Sequence, residues 1–347
     1  MRKNTIRKKC CKCCGALLGI LLCFAVSACG VQQETAESDT EQTKTEDGAQ
    51  AQELSAPGSA DGGSESSGEG NADGASDGSQ KENTDGVSDT DGKNASQTNQ
   101  TQREEITDKM AGKTLSILGD SLSTYEGWIP GGYVDYFPRN GELTDVSQTW
   151  WDILLKHTGL ELCVNGSSAA STCVGDSLST DDPKYGCSDY RISDLCGGGV
   201  WPDIIIVYMG TNDLLTSVPM GENDGTDIVE EGVIENFSDA YCLMLDKLQA
   251  QYPGSQIFCC TLPQIGTWGD NQPFVVFENR LGMTAEDYNR QIKIIAEAKD
   301  CTVIDLEECG ITIGNMHQYI TDGVHFKPEG MELIEEVIEE ALEEGVR

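Results

Sequence analysis

Hydrophobic and polar positions fall into three regimes along this chain. Residues 15–26 are almost continuously apolar. Residues 31–102 are polar throughout. From about residue 109 onward, short apolar runs alternate with amphipathic segments. The apolar runs are 114–118, 161–165, 203–208, 256–261 and 302–305, and helical periodicity occupies 148–157, 233–251, 284–298 and 328–344. Ile204-Ile205-Ile206-Val207 is apolar without alternation, as a strand covered on both faces requires. Pro328 suits the first turn of the last helix. Strands alternating with helices predict an α/β fold, a parallel sheet with helices on both sides. Ligands in such sheets bind beyond the carboxyl ends of the strands.

The first regime reads as an export signal. Arg2, Lys3, Arg7, Lys8, Lys9 and Lys12 make a basic head before an apolar stretch too short to span a bilayer comfortably. Val26-Ser27-Ala28-Cys29 resembles a bacterial lipobox, which implies a signal peptide over 1–28, a lipid-modified Cys29 at the start of the mature chain, and a palmitate-type anchor. An ordinary secretory signal with a chance cysteine is the weaker alternative. Cys10, Cys11, Cys13 and Cys14 in the basic head leave with such a peptide.

Residues 31–102 contain no Phe, Trp or Tyr and carry 16 acidic against 3 basic residues. Such a segment buries too little apolar surface to offset its ordering entropy, so 29–110 is expected to be a disordered acidic tether. A coil of that length spans roughly 45–50 Å. It reads either as a selected reach from a membrane or as a low-complexity spacer. Residues 111–347 have the size of one domain. The whole chain has a net charge of −36, which argues against nucleic-acid or polyanionic partners.

The chain has 15 cysteines, nine of them between Cys163 and Cys309. Cys259 and Cys260 sit in an apolar run and read as core. Cys173, Cys187 and Cys196 lie in loop-like sequence where pairing is open. No zinc-ligand spacing is present.

Three motifs carry the candidate chemistry: Gly119-Asp120-Ser121-Leu122, Gly210-Thr211-Asn212-Asp213 and Asp322-Gly323-Val324-His325. Ser121 follows the first apolar run, Ala170 and its neighbours the second, and Asn212 the third. The predicted topology therefore brings all three to one sheet edge. A serine hydroxyl attacks a carbonyl only when a base takes its proton, and histidine, with an unperturbed pKa near ~6.5, suits that task. Of the three histidines, His157 ends a helical pattern and reads as structural. His317 has no carboxylate at useful spacing and reads as a loop residue. His325 has Asp322 three positions before it in a turn-like stretch, which lets the carboxylate reach one ring nitrogen and leaves the other for Ser121. Asp120 and Asp213 read as structural orienters.

These blocks make residues 113–344 similar to the SGNH, or GDSL-type, hydrolase family. The resemblance implies a three-layer α/β/α sandwich of flavodoxin-like type with a mainly parallel five-stranded sheet. It also implies ester or thioester hydrolysis by a Ser121–His325–Asp322 triad, with no cofactor and no metal. It further implies three oxyanion donors: the Ser121 N–H, a backbone N–H in the second block, and the Asn212 side chain. Family members carry glycine five residues after the strand-end asparagine. Counting from Asn165 puts Ala170 there, with Gly166 as the fallback.

Residues 123–147 hold Tyr125, Trp128, Tyr133, Tyr136 and Phe137, which read either as a platform for a sugar or acyl chain or as a small core under a long loop. Arg191 reads as a site for a substrate anion or as a structural charge. The reading as a whole is an extracytoplasmic, membrane-anchored serine esterase that deacylates, in particular deacetylates, carbohydrate or cell-envelope esters. The alternatives are a lipid-directed lysophospholipase or thioesterase, and a noncatalytic glycan-binding protein of the same fold.

Overall fold

A computed structural model describes residues 109–269 and 274–347. The signal, Cys29 and tether readings lie outside the described residues. The run Ile204–Tyr208 forms the central strand, and all five of its residues are buried, which explains its lack of alternation. We number the sheet strands β1 (Thr114–Gly119), β2 (Glu161–Asn165), β3 (Ile204–Tyr208), β4 (Gln256–Cys260) and β5 (Thr302–Ile304). They lie in the order β2-β1-β3-β4-β5, and every pairing is parallel. This is the flavodoxin-like order. The chain runs from β1 outward to β2, returns across the sheet to β3, and then proceeds one way.

The helices are α1 (Trp150–Thr158), α2 (Asp189–Ser193), α3 (Thr211–Thr216), α4 (Phe237–Gln251), α5 (Ala285–Ala298), α6 (Met316–Tyr319) and α7 (Pro328–Gly345). The first and last long helices, α1 and α7, pack on each other. A second set joins α2 to α4 and α4 to α5. The two sets are the outer layers of an α/β/α sandwich. Caps set the helix bounds. Thr149 accepts from the Asp152 N–H at the start of α1, and Gly159, at φ 72°, ends it. The helical pattern expected from 233 begins only at Phe237. Val233–Ile234 pairs antiparallel with Gly175–Asp176, and Asn236 caps α4 by accepting from Asp239 N–H at 3.0 Å. No described helix is long and apolar enough to cross a membrane. Of the cysteines whose pairing the sequence leaves open, Cys173 and Cys187 are buried free thiols.

Candidate active site

The nucleophile turn is built from the end of β1. Gly119 is the last strand residue, and a Cβ there would stand 2.6 Å from Ser167 Oγ, so the close approach of the second loop requires glycine. Ser121 opens a 3-10 turn, Ser121–Ser123. Asp120 caps it by accepting from Leu122 N–H at 3.0 Å. The fully buried indoles of Trp150 and Trp151 donate to Ser123 Oγ (3.1 Å) and Ser123 O (3.0 Å), and Asn165 Nδ2 donates to the same carbonyl at 2.8 Å. The turn is thus pinned from α1 and from β2, and Ser121 is left 6% exposed. Burial raises the Asp120 carboxyl above the usual aspartate value, against the pull of the Leu122 N–H.

The loop between α6 and α7 delivers the base. Ile320 and Phe326 close it as an antiparallel bridge, and Thr321 N–H donates to His325 O at 2.8 Å. Gly323 has φ 97°, and a Cβ there would collide with the Gly266 carbonyl, so this turn position demands glycine. Asp322 Oδ1 accepts from the backbone N–H of Val324 (3.0 Å) and His325 (2.8 Å), which fixes the carboxylate before it meets the ring. Asp322 Oδ2 lies 2.7 Å from His325 Nδ1, and His325 Nε2 lies 2.9 Å from Ser121 Oγ. Burial pushes the Asp322 carboxyl up, but the His325 ring and the backbone donors outweigh it and hold the group well below the usual carboxylate range. The structure therefore brings Ser121, His325 and Asp322 into one hydrogen-bonded chain across 204 residues of sequence.

The second loop differs from the sequence expectation in one respect and explains another. Gly166 is not an available donor, because its N–H already bonds Ile117 O at 2.8 Å. Ala170 is exposed and has φ 56°, in the left-handed region that favours glycine. Its N–H makes no hydrogen bond to any described residue, and neither does that of Ser121. Ser168 N–H donates to Gly119 O (3.1 Å), and Asn212 Nδ2 donates to Ser171 O (2.9 Å). Ala170 is therefore held between the serine turn and Asn212. Asn212 retains one amide hydrogen beyond that bond.

Asp213 and Arg191 shape this edge from beneath. Asp213 accepts from Cys173 N–H (2.8 Å) and Val174 N–H (3.3 Å). Burial, opposed by those donors, pushes its carboxyl up to about 7. Arg191 is fully buried, which excludes the reading of it as an anion site. Its guanidinium donates to Pro183 O (2.6 Å), Gly119 O (2.8 Å) and Gly166 O (2.8 Å), tying the ends of β1 and β2 to the insert over 171–200.

The aromatic loop splits between its two readings. Tyr125, Tyr133 and Phe137 are buried, Trp128 is 46% exposed, and Tyr136 stacks on His325. Nothing in the local spacing of Tyr136 points to residue 325. His317 is exposed on α6 and away from the chain of contacts at Ser121. His157 ends α1 and meets Glu335 Oε1 (3.1 Å) and Glu339 Oε2 (3.6 Å) of α7. Donor atoms of His157, Glu335 and Glu339 lie within 4.8 Å of one another, the one group among the described residues with metal-ligand spacing. It belongs to the α1–α7 layer, not to the serine site.

The family model for GDSL-like lipase/acylhydrolase matches residues 113–267. Over that span the chain is similar to the GDSL-like lipase/acylhydrolase family, a likeness that implies carboxylic ester hydrolase activity. The matched span contains Ser121 and Asn212 and ends before Asp322 and His325, which the fold adds. A GDSL-like lipase of Bacteroides ovatus is similar at 26% identity over 68% of this chain and 100% of its own, with a TM-score of 0.50. A Lactobacillus plantarum protein is 21% identical over 68% of this chain and 99% of its own, with a TM-score of 0.51, and shares the fold. No curated protein matches the chain.

Proposed function

We propose that this GDSL-like hydrolase is a serine esterase that removes short acyl groups, acetyl in particular, from carbohydrate esters outside the cytoplasmic membrane, where Cys29 carries its lipid anchor. The observation that carries the serine mechanism is the Ser121 Oγ–His325 Nε2–Asp322 chain at 2.9 and 2.7 Å. Ser121 Oγ bonds to the acyl carbon as its proton passes to His325 Nε2, and the carbonyl π electrons move onto oxygen. The oxyanion lies against the Ser121 N–H, the Ala170 N–H and the Asn212 amide. His325 then gives its proton to the departing alkoxide. Water repeats the sequence, delivering its proton to His325 and releasing the acid and the free serine. Asp322 stays ionised and orients the ring.

The carbohydrate reading is supported by exposed indole faces near the edge that bears the site. Trp268 is 66% exposed and stacks on the buried Phe274 ring at 4.6 Å. It stands on the segment whose Gly266 N–H donates to Gly323 O at 2.8 Å, beside the His325 loop. Flat aromatic faces suit sugar rings, which present C–H groups to them.

A series of chromogenic esters of rising chain length tests the proposal. Turnover should be highest for acetyl, decline steeply with longer chains, and vanish in Ser121→Ala. A maximum at long chains would instead identify a lipid-directed enzyme. Equal turnover by wild type and Ser121→Ala would remove the serine mechanism. Release of acetate from acetylated glycans, with KM raised in Trp268→Ala, tests the substrate class.

A further inference from the structure

The loop that follows the nucleophile leaves Ser121 and folds back on it. Thr124 donates to Ser121 O through its N–H (3.3 Å) and its hydroxyl (3.0 Å). Glu126 N–H then donates to Phe137 O, and Tyr136 N–H to Thr124 Oγ1, both at 2.9 Å. This closure lays the Tyr136 ring on the His325 imidazole, with centroids 3.6 Å apart and planes inclined by 7°. The phenol donates to Asp322 Oδ2 at 3.3 Å, the oxygen that also meets His325 Nδ1. Phe137, fully buried, meets both rings edge-on, 4.9 Å from Tyr136 and 6.3 Å from His325.

We propose that Tyr136 is a positioning residue for the hydrolytic reaction, its ring holding the His325 imidazole in register with Ser121 and its hydroxyl tuning the charge that Asp322 offers the ring. This rests on the serine-esterase reading and adds to it a residue that neither the motifs nor the matched family span assigns to the reaction. A parallel ring at van der Waals distance removes the freedom of the imidazole to swing out of line with the hydroxyl, which in-line proton transfer requires. It also favours the cationic ring over the neutral one, because the aromatic face is electron-rich. The hydroxyl works in the opposite sense. By donating to Asp322 Oδ2 it takes up part of the negative charge that would otherwise pair with the imidazolium. Burial and the neighbouring Asp322 charge both push the Tyr136 phenol above its ordinary value, so it remains a donor across the working range. The other charged group facing the imidazole is Asp120, at the end of β1, whereas Lys327 is engaged with Glu142 at 3.6 Å. Neither changes in the variants below.

The two roles separate by substitution. Tyr136→Phe removes the hydroxyl and keeps the stack, and Tyr136→Leu removes both. The pH–rate profile of kcat/KM for a short-chain ester, together with kcat and KM at the plateau, is measured for the three proteins after thermal melts establish that each is folded. Tyr136→Leu should lose roughly tenfold in kcat with KM little changed, a smaller loss than from a 1 Å misplacement of reacting groups. Relative to Tyr136→Phe, its acidic limb should move to lower pH by about half a unit. Tyr136→Phe should lose less, and its limb should move to higher pH than that of wild type. A limb that stays in place in both variants would overturn the proposal. So would a loss carried by KM alone, which would place Tyr136 on the substrate. If Tyr136→Leu fails to fold, the upward shift in Tyr136→Phe decides alone. A wild-type protein that hydrolyses no ester removes the serine-esterase reading and this one with it. Ser121-dependent hydrolysis with unmoved limbs removes only this one.

Discussion

Two of the described histidines meet carboxylates, and only one of the two also reaches a serine hydroxyl. His325 and Asp322 meet at 2.7 Å at the carboxyl edge of the sheet, and His157 and Glu335 meet at 3.1 Å between α1 and α7. The carboxylates differ in what surrounds them. Asp322 accepts from two backbone N–H groups, the Tyr136 phenol and the imidazole, and is held low. Glu335 is buried with His157 as its one favourable partner and with Glu339 and Glu336 beside it. Burial and these like charges push it up to about 7. The free nitrogen of His325 meets a serine hydroxyl, and no described hydroxyl bonds His157. A histidine beside a carboxylate is therefore not enough. The carboxylate must be kept ionised by donors of its own, and the far nitrogen must be delivered to a nucleophile.

The sharpest way to break this contrast is to neutralise each carboxylate in turn. Asp322→Asn should lower kcat by about 10⁴-fold through loss of the oriented tautomer, while Glu335→Gln should leave kcat unchanged. Similar losses in both would dissolve the distinction. Next in size is Asn212→Ala, which should lower kcat by about 10²–10³-fold with little change in KM, as loss of one oxyanion donor does.

Smaller effects concern stability. Glu335 has a folded-state value of about 7 against an ordinary 4.5, so the folded protein holds a proton there that the unfolded chain releases. Its contribution is present at acid pH and lost as pH rises through about 7. Glu335→Gln should therefore melt higher than wild type at pH 8 by about 2–4 °C, with the gap closing near pH 5. A gap that widens on acidification would reverse the sign. The smallest effect is expected at Ala170. Its left-handed backbone costs about 1 kcal/mol, and glycine gives back a similar amount in unfolded-state entropy. Ala170→Gly should leave Tm within about 3 °C and kcat unchanged. A large gain in kcat would mean that the alanine distorts the second donor.

The strands were legible because β3 is apolar on both faces and each run stops at a loop carrying Gly, Asn or Ser. The pairing of His325 with Asp322 was legible because it is local, three residues within one turn. What escaped the sequence was what depends on distant segments meeting. Arg191 reads either as an anion site or as a structural charge until three carbonyls, from residues 119, 166 and 183, are seen to close on it. Tyr136 reads as one aromatic among five until the 124–137 loop folds back and lays it on a ring 189 positions later. Gly166 read as a possible donor because its bond to Ile117 depends on the register of β1 against β2. The late start of α4 escaped because the pairing of Val233–Ile234 with Gly175–Asp176 is likewise non-local.

The central claim is that Ser121 is a nucleophile activated by His325 and not by any other base. A fluorophosphonate reagent followed by peptide mapping tests it most directly. One adduct is expected, on Ser121, formed rapidly in wild type and in His157→Gln and lost in His325→Gln. An adduct on another residue, or labelling of Ser121 undiminished in His325→Gln, would contradict it.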